Sequence, residues 1–424
     1  MEKQITSGAG GRILTNCNVW SPDGQWIVYD TRSDSPGATF DGTAIEIVNV
    51  ETGEVRRVYE SKNGAHCGIA TFHPTENEVA FILGPEFPTP DWEYGPAHRQ
   101  GVIVDLVCPG IATNLDARNL VAPFTPGALR GGSHVPVFRP DGQAVSFTYN
   151  DAVLARQGEA NEGQEDDRRN IGISAPFPSV SVPKTHSRNH DGAYFSVLAT
   201  RTTAHPRPGS DDITQALEEG WIGANGYLRP NGTRQKAALA FQGQVLTADG
   251  RALWEIFCVD LPDDLTLPPP DGKLEGTEMR RPLPPLGTIQ RRLTYTEHRR
   301  YPGIFGPRHW LRSSPDGEAI AFLMRDNSGI TQIWTVSPTG GEPKQITRDS
   351  WNVASAFTWS PDGKAVTYIA DNSVFTVNVS TVRSQRRTPR TDDAPLPLAC
   401  VFSPDGTKIA YLRRIDGVNQ ILIT

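Results

Sequence analysis

The chain has few cysteines and none in a useful arrangement. Five of its 424 residues are cysteine (Cys17, Cys67, Cys108, Cys258 and Cys400), and no two stand in CxxC spacing. An odd, scattered set implies neither a disulfide framework nor a zinc site, and such residues read as small buried hydrophobes. Long apolar runs are also missing. No stretch approaches the ~18 apolar residues that would cross a bilayer, and the opening MEKQITSGAGGRILTN has no apolar core of a secretory signal. The expected compartment is therefore the cytoplasm, with no membrane partner. Positive charge is short as well. A net charge of −7 argues against a nucleic-acid partner, because phosphate recognition needs a broad basic surface. No G-x-S-x-G elbow, P-loop or H-E-x-x-H motif occurs.

What is present is a repeat. An apolar or aromatic stretch, then Ser-Pro-Asp-Gly, then an alternating strand ending in an aromatic recurs along the chain. Clear copies are VWSPDGQWIVYD (19–30), VFRPDGQAVSFTYN (137–150), SSPDGEAIAFLMRD (313–326), TWSPDGKAVTYIAD (358–371) and VFSPDGTKIAYLRR (401–414). TFHPTENEVAFILG (71–84) and LRPNGTRQKAALAFQG (228–243) are weaker copies, bringing the anchoring prolines to seven: Pro22, Pro74, Pro140, Pro230, Pro315, Pro361 and Pro404. Proline presets φ, Asp or Asn caps the turn and Gly supplies positive φ, so each copy is a hairpin. With the strands that follow, each repeat makes a four-stranded blade, and the whole is expected to be an all-β seven-bladed β-propeller. The last repeat ends after three strands. Lys3-Gln4-Ile5-Thr6 resembles the usual fourth strand, so the N-terminal strand should close the ring by completing the last blade. Blades are expected near 12–61, 64–128, 131–183, 220–294 with an insertion over 184–219, 306–347, 351–390, and 395–424 plus 2–6.

The prolines stand between 43 and 90 residues apart, so several blades carry insertions. The loops before first strands and between second and third strands share one face, the top. Residues 31–43, 84–100, 151–169, 184–225 and 295–308 fall there; the Pro-rich 262–285 should lie on the bottom. Within 184–225 an extra strand (193–199) and a short helical stretch (211–219) are expected. Elaborated loops on one face of a rigid scaffold mark a binding or catalytic surface.

Register selects candidate residues. His134 and His309 each precede a repeat proline by six residues, which places them at the start of innermost strands, at the tunnel mouth. Asn16, Gly68, Ala224, Ser355 and Leu398 take the equivalent positions. His66 sits nearby, and His186 and His190 lie in the largest top insertion. Clustered neutral imidazoles suit a transition metal, and an unliganded one suits a general base. Arg291, Arg292, Arg299, Arg300, Arg308 and Arg312 crowd one region, with Arg188 and Arg201 in the other large insertion. Guanidinium forks bind carboxylate or phosphate, so an anionic ligand is expected. Trp92, Tyr94, Tyr301 and Phe305 would suit sugar rings beside them.

The Ser-Pro-Asp-Gly-x-x-Ile-Ala-Tyr units resemble TolB-like propeller repeats across essentially the whole chain. Arg12-Ile13-Leu14-Thr15-Asn16, Gly84-Pro85-Glu86 with Pro90-Asp91-Trp92, and Asn189-His190-Asp191-Gly192 look more specifically like the YidR-type propellers. A more distant resemblance is to oligogalacturonate lyases, propellers that hold a Mn-type divalent metal on histidines at the mouth; their tight Gln-x-x-His-x-His cluster is absent here. That resemblance implies β-elimination on uronate-containing oligosaccharides. It would place His134, His309 and His66 on the metal, His190 or His186 as base, Arg188 and Arg308 as clamps, and Arg299, Arg300, Asn16, Trp92 and Tyr301 on substrate. The other expectation is a non-catalytic propeller whose top face binds a protein or an anionic small ligand.

Overall fold

The repeat motif folds as its residue types require. In the first copy Ser21 Oγ donates to Asp23 Oδ1 (2.5 Å) and accepts from Trp26 N (2.9 Å), while Gln25 N donates to Asp23 Oδ1 (3.0 Å). Gly24 supplies the positive φ of 70°. The same side-chain net forms around Ser314 and Asp316, Ser360 and Asp362, and Ser403 and Asp405. The serine and aspartate thus satisfy the turn's own backbone donors, which is why the motif recurs at every regular hairpin.

The computed structural model describes residues 2–34, 38–155 and 165–424. Seven four-stranded antiparallel sheets are arranged as blades around a tunnel. Blade one is Gly11–Ile13, Trp26–Arg32, Ala44–Asn49 and Val55–Glu60. Blade two is Cys67–Phe72, Glu78–Leu83, Gln100–Asp105 and Ala112–Asn114. Blade three is Gly131–Phe138, Val145–Asp151, Asn170–Ala175 and Phe195–Leu198. Blade four is Ile213–Trp221, Ala238–Leu246, Ala252–Asp260 and Ile289–Arg292. Blades five and six are built on the hairpins Ile320–Arg325 with Thr331–Val336 and Ala365–Ala370 with Ser373–Asn378. Blade seven is Pro395–Phe402, Ile409–Ile415 and Val418–Ile423, completed by Lys3–Gln4. Lys3 pairs with Ile423 and Gln4 with Leu422, so the ring closes with no free sheet edge at the junction. Buried aliphatic and aromatic side chains between neighbouring blades form the core. Among the described residues no helix is long and apolar enough to cross a membrane.

Three expectations about blades three and four are corrected. Residues 195–198 are the outer strand of blade three, not an extra strand in an insertion. Residues 213–221 are the innermost strand of blade four, not a helical stretch; two bulges break the alternation that would have marked them as a strand. Pro230 caps an additional hairpin, Tyr227–Leu228 with Arg234–Gln235, and the true anchor of blade four is Gly223. Trp221 confirms this, because its indole N–H donates to Val137 O of the preceding blade, as Trp20 does to Val401 O and Trp359 to Arg312 O. The blade-four counterpart of His134 is therefore Leu217, not Ala224. The Pro-rich 262–285 segment also departs from its bottom placement. Leu265 and Leu274 are buried with the core of blades three and four, and the segment carries Arg281 to Glu165 (2.9 Å) in a top loop.

Candidate functional site at the tunnel mouth

The innermost strands of blades two, three and four share a strained bulge. Ile69, Val135 and Glu218 have φ of 61°, 60° and 57°, and each sits where the strand register slips. Positive φ is an outlier for β-branched residues, and such strain persists only where the surroundings over-determine it. In blade four the bulge sends Glu218 to the rim, where Arg308 Nε donates to its Oε1 (2.7 Å). The next residue, Glu219, turns inward and accepts from Thr148 Oγ1 (3.1 Å).

Around this pair stand guanidinium groups from three blades. Arg99 ends the loop that enters the third strand of blade two, and Gly132 fixes its place. A Cβ on Gly132 would collide with the Pro96 carbonyl oxygen, so only glycine lets the 96–99 backbone lie on the innermost strand of blade three. Arg118, 2% exposed, locks that loop by donating to the carbonyls of Arg99, His98 (3.4 Å) and Gly131 (3.1 Å). Arg169 precedes the third strand of blade three, and its carbonyl accepts from Ala216 N of blade four (3.0 Å). Arg308 lies over the Trp310 ring (4.6 Å). His134 faces all three. Burial, and then the charges of Arg99, Arg308 and Arg169, push its imidazole well below the ordinary value. Burial pushes Arg99 down too, and Arg169 and Arg308 add to the shift. Burial raises Glu218 against the pull of Arg308, Arg169 and Arg312. It raises Glu219 to about 7, helped by Glu218. Orphaned polar atoms belong to the same side chains: Arg99 Nε, Glu218 Oε2 and Glu219 Oε1 are buried without hydrogen-bond partners. Buried polar atoms are normally satisfied, so these mark a site built to take polar groups.

Below this cup the tunnel is bridged. Arg312 of blade five donates across it to Asn16 O of blade one (3.3 Å), and Asn16 Nδ2 donates to Phe357 O of blade six (3.3 Å). On the bottom side of the bridge lies a cavity of about 440 Å³ ringed by six of the repeat prolines. The titratable groups cluster at the top instead, and we place the candidate polar site there.

The anticipated residues part company in the structure. His134 reaches the cup and Arg308 is part of it. His309 does not: its Nδ1 donates to Pro307 O (2.8 Å) and its Nε2 accepts from Leu323 N (3.2 Å). Both nitrogens serve backbone, burial brings the ring's pKa down to about 4, and Ser355 does the same work in blade six by accepting from Ile369 N. His66 is half-buried in the turn before blade two, its carbonyl accepting from Gly84 N (2.7 Å). His190 Nε2 donates to Asp116 O (3.1 Å) and its backbone pairs with Arg118; burial, then Arg118, brings its pKa down to about 3. His186 and Arg188 pack on Trp92, at 6.3 and 6.0 Å, with His98 stacked on it at 3.8 Å. Trp92 is 2% exposed, so it anchors the insertion and offers no face to a sugar. Arg188 also ties to the carbonyls of Glu86 and Phe87. Arg299, Arg300 and Tyr301 lie over the hairpin of blade five, with Arg299 on Arg325 O and the Trp334 ring. Asn16 is deep in the tunnel. Among the described residues no group of three or more His, Cys, Asp or Glu side chains could hold a metal ion. With His309 committed to backbone, His66, His134 and His309 do not fit a metal centre.

Sequence reasoning missed Arg99, Arg169, Glu218 and Glu219. A signal existed for the last two: two adjacent carboxylates just ahead of Gly220-Trp221-Ile222, apolar residues that enter the core.

The fold and the rim define an all-β seven-bladed propeller with a basic, carboxylate-braced tunnel mouth. Residues 66–190 match the family model described as a protein of unknown function (DUF3748). The chain is 45% identical over 413 residues to the uncharacterized protein YidR of Escherichia coli (strain K12), covering 97% of this chain and 94% of that one. It belongs to the YidR family. Among solved structures it is similar in fold to an oligogalacturonate lyase in complex with manganese and to the oligogalacturonate lyase of Vibrio parahaemolyticus. Each gives a TM-score of 0.54 at 11% identity, covering 100% of this chain and 92% of that one.

Proposed function

We propose that the tunnel mouth binds the carboxylate groups of an acidic oligosaccharide of the uronide class. The observation that carries this reading is the convergence of Arg99, Arg169 and Arg308, from three blades, around His134. Guanidinium forks match carboxylates bidentately, and the orphaned donor Arg99 Nε awaits an acceptor. Glu218 holds Arg308 in place and keeps the rim from being uniformly cationic, which favours a ligand with hydroxyl donors as well as anions. The fold likeness to oligogalacturonate lyases supports the ligand class by analogy only. Calorimetric titration with di- and trigalacturonate tests the reading: saturable, salt-sensitive binding is expected, and its absence across several uronides would refute it.

A second reading, β-elimination on the bound uronide, is favoured by the state of His134. A base must be neutral, and guanidinium groups beside it would neutralise the carboxylate and acidify the adjacent C–H. His134 would take that proton; the C–H electrons would form the double bond as the glycosidic C–O bond breaks, and solvent would protonate the leaving oxygen. His190 and His186, held on backbone and Trp92, are replaced in this role. Among the described residues the donor set does not fit a metal. Rising absorbance in the unsaturated-uronate band, lost in His134→Ala, is the expected result; a flat trace with the wild-type chain would leave only binding.

A further inference from the structure

Three arginines lie over the top of blade five, and the fold ties down only two of them by hydrogen bonds. Arg299 donates to Arg325 O (3.2 Å) and Arg300 to Asn327 O (3.5 Å). Arg325 ends the strand Ile320–Arg325. Among the described residues its guanidinium makes no hydrogen bond and no ion pair. The carboxylate next to it in sequence is committed to a turn, since Asp326 Oδ1 accepts from Ser328 N (2.8 Å) and Ile330 N (3.0 Å). Arg325 is nevertheless held in place. Its guanidinium carbon stands 3.3 Å from the centre of the Phe305 ring and 5.7 Å from that of Tyr301. Stacking fixes the plane of the group and leaves its N–H edge available. The Phe305 ring is anchored in turn. Its backbone N donates to Leu323 O (3.1 Å), and a Cβ on the following Gly306 would stand 2.9 Å from Leu323 Cδ1, so only glycine lets the loop lie this close to the blade. Phe305 is still 45% exposed. Aromatic surface thus borders solvent beside a cation with free donors. Three residues further on is Arg308 of the rim, and three residues of chain span at most ~11 Å.

We propose that Phe305 and Arg325 form a second uronide subsite outside the rim, with the apolar C–H face of one sugar ring on Phe305 and the carboxylate of that sugar on Arg325. This deepens the uronide reading and rests on it: the rim takes the first units of the chain, and the outer pair takes the next. Burial against the ring and a guanidinium–carboxylate contact are both added by one further unit. The site therefore selects chains of three or more uronates over dimers.

Calorimetric titration of the intact chain with digalacturonate and with trigalacturonate reads the gain from the third unit. The trimer should bind about tenfold more tightly, the usual gain for one added charge-assisted contact. Arg325→Gln should remove that gain while leaving digalacturonate within about twofold of wild type, a selective loss that a merely structural role would not produce. Phe305→Ala should act in the same way, and Phe305→Tyr, which keeps the ring, should restore the gain. Retained digalacturonate binding reports in each case that the variant is folded. Absence of binding by either oligomer to wild type would refute the rim reading and this subsite with it. Digalacturonate bound with no gain for the trimer, or a gain that survives Arg325→Gln or Phe305→Ala, would overturn the subsite alone and leave the rim standing.

Discussion

Arg312 and Asn16 join two blades that are not neighbours: the guanidinium of the fifth blade donates to the carbonyl of the first, across the tunnel, at 3.3 Å. This contact separates the polar cup above from the proline-ringed cavity below.

Arg99→Gln and Arg169→Gln should each weaken uronide binding by about five- to fiftyfold, the usual loss for a charge-assisted contact. Arg299→Gln with Arg300→Gln should leave affinity unchanged, because those side chains lie over the outer hairpin of blade five. Parallel calorimetric titrations of the two sets check this.

His309→Ala should cost about 1–3 kcal/mol of stability, since it strands the buried Leu323 N–H and Pro307 carbonyl. His309→Ser should recover part of the loss, as Ser355 already does this work one blade on. Thermal midpoints of the three proteins decide. An alanine variant as stable as wild type but unable to bind ligand would reverse the assignment.

Glu219 should make the fold more stable in mild acid than at neutral pH. Its folded-state pKa, about 7, is above the ordinary glutamate value, so the folded state holds the proton more tightly. The stabilisation is complete below about pH 4.5 and is lost as pH rises through about 7. Glu219→Gln should flatten that part of the pH–stability profile, measured by urea denaturation between pH 4.5 and 8. An unchanged profile would mean the group is ionised in the fold.

If uronide elimination occurs, its rate should not fall between pH 7.5 and 5.5, where an ordinary imidazole would become protonated. Burial and three arginines push the His134 value well below that of an ordinary imidazole. A rate that halves near pH 6.5 would identify a different base.

The ring, its closure by the first strand and the tunnel-mouth position of His134 were legible because they follow from turn chemistry and strand period. Blade four was not, because its innermost strand is bulged at Glu218 and its repeat turn is displaced by the Pro230 hairpin. The same bulge hid the carboxylates that brace the rim. Arg99 and Arg169 were invisible for another reason. Each is one arginine at the end of a long loop, and its position depends on contacts distant in sequence, Gly132 for one and Ala216 for the other. His309 shares the register of His134 but not its role, since a six-residue offset fixes where a side chain starts and not which backbone groups claim it.

The most direct test is the affinity of digalacturonate for the Arg99→Gln, Arg169→Gln double variant beside wild type and the Arg299→Gln, Arg300→Gln double variant, at one low ionic strength. Binding lost by about a hundredfold in the first and retained in the last is the expected result. Equal affinity in wild type and the double variant would contradict a rim built to hold carboxylates.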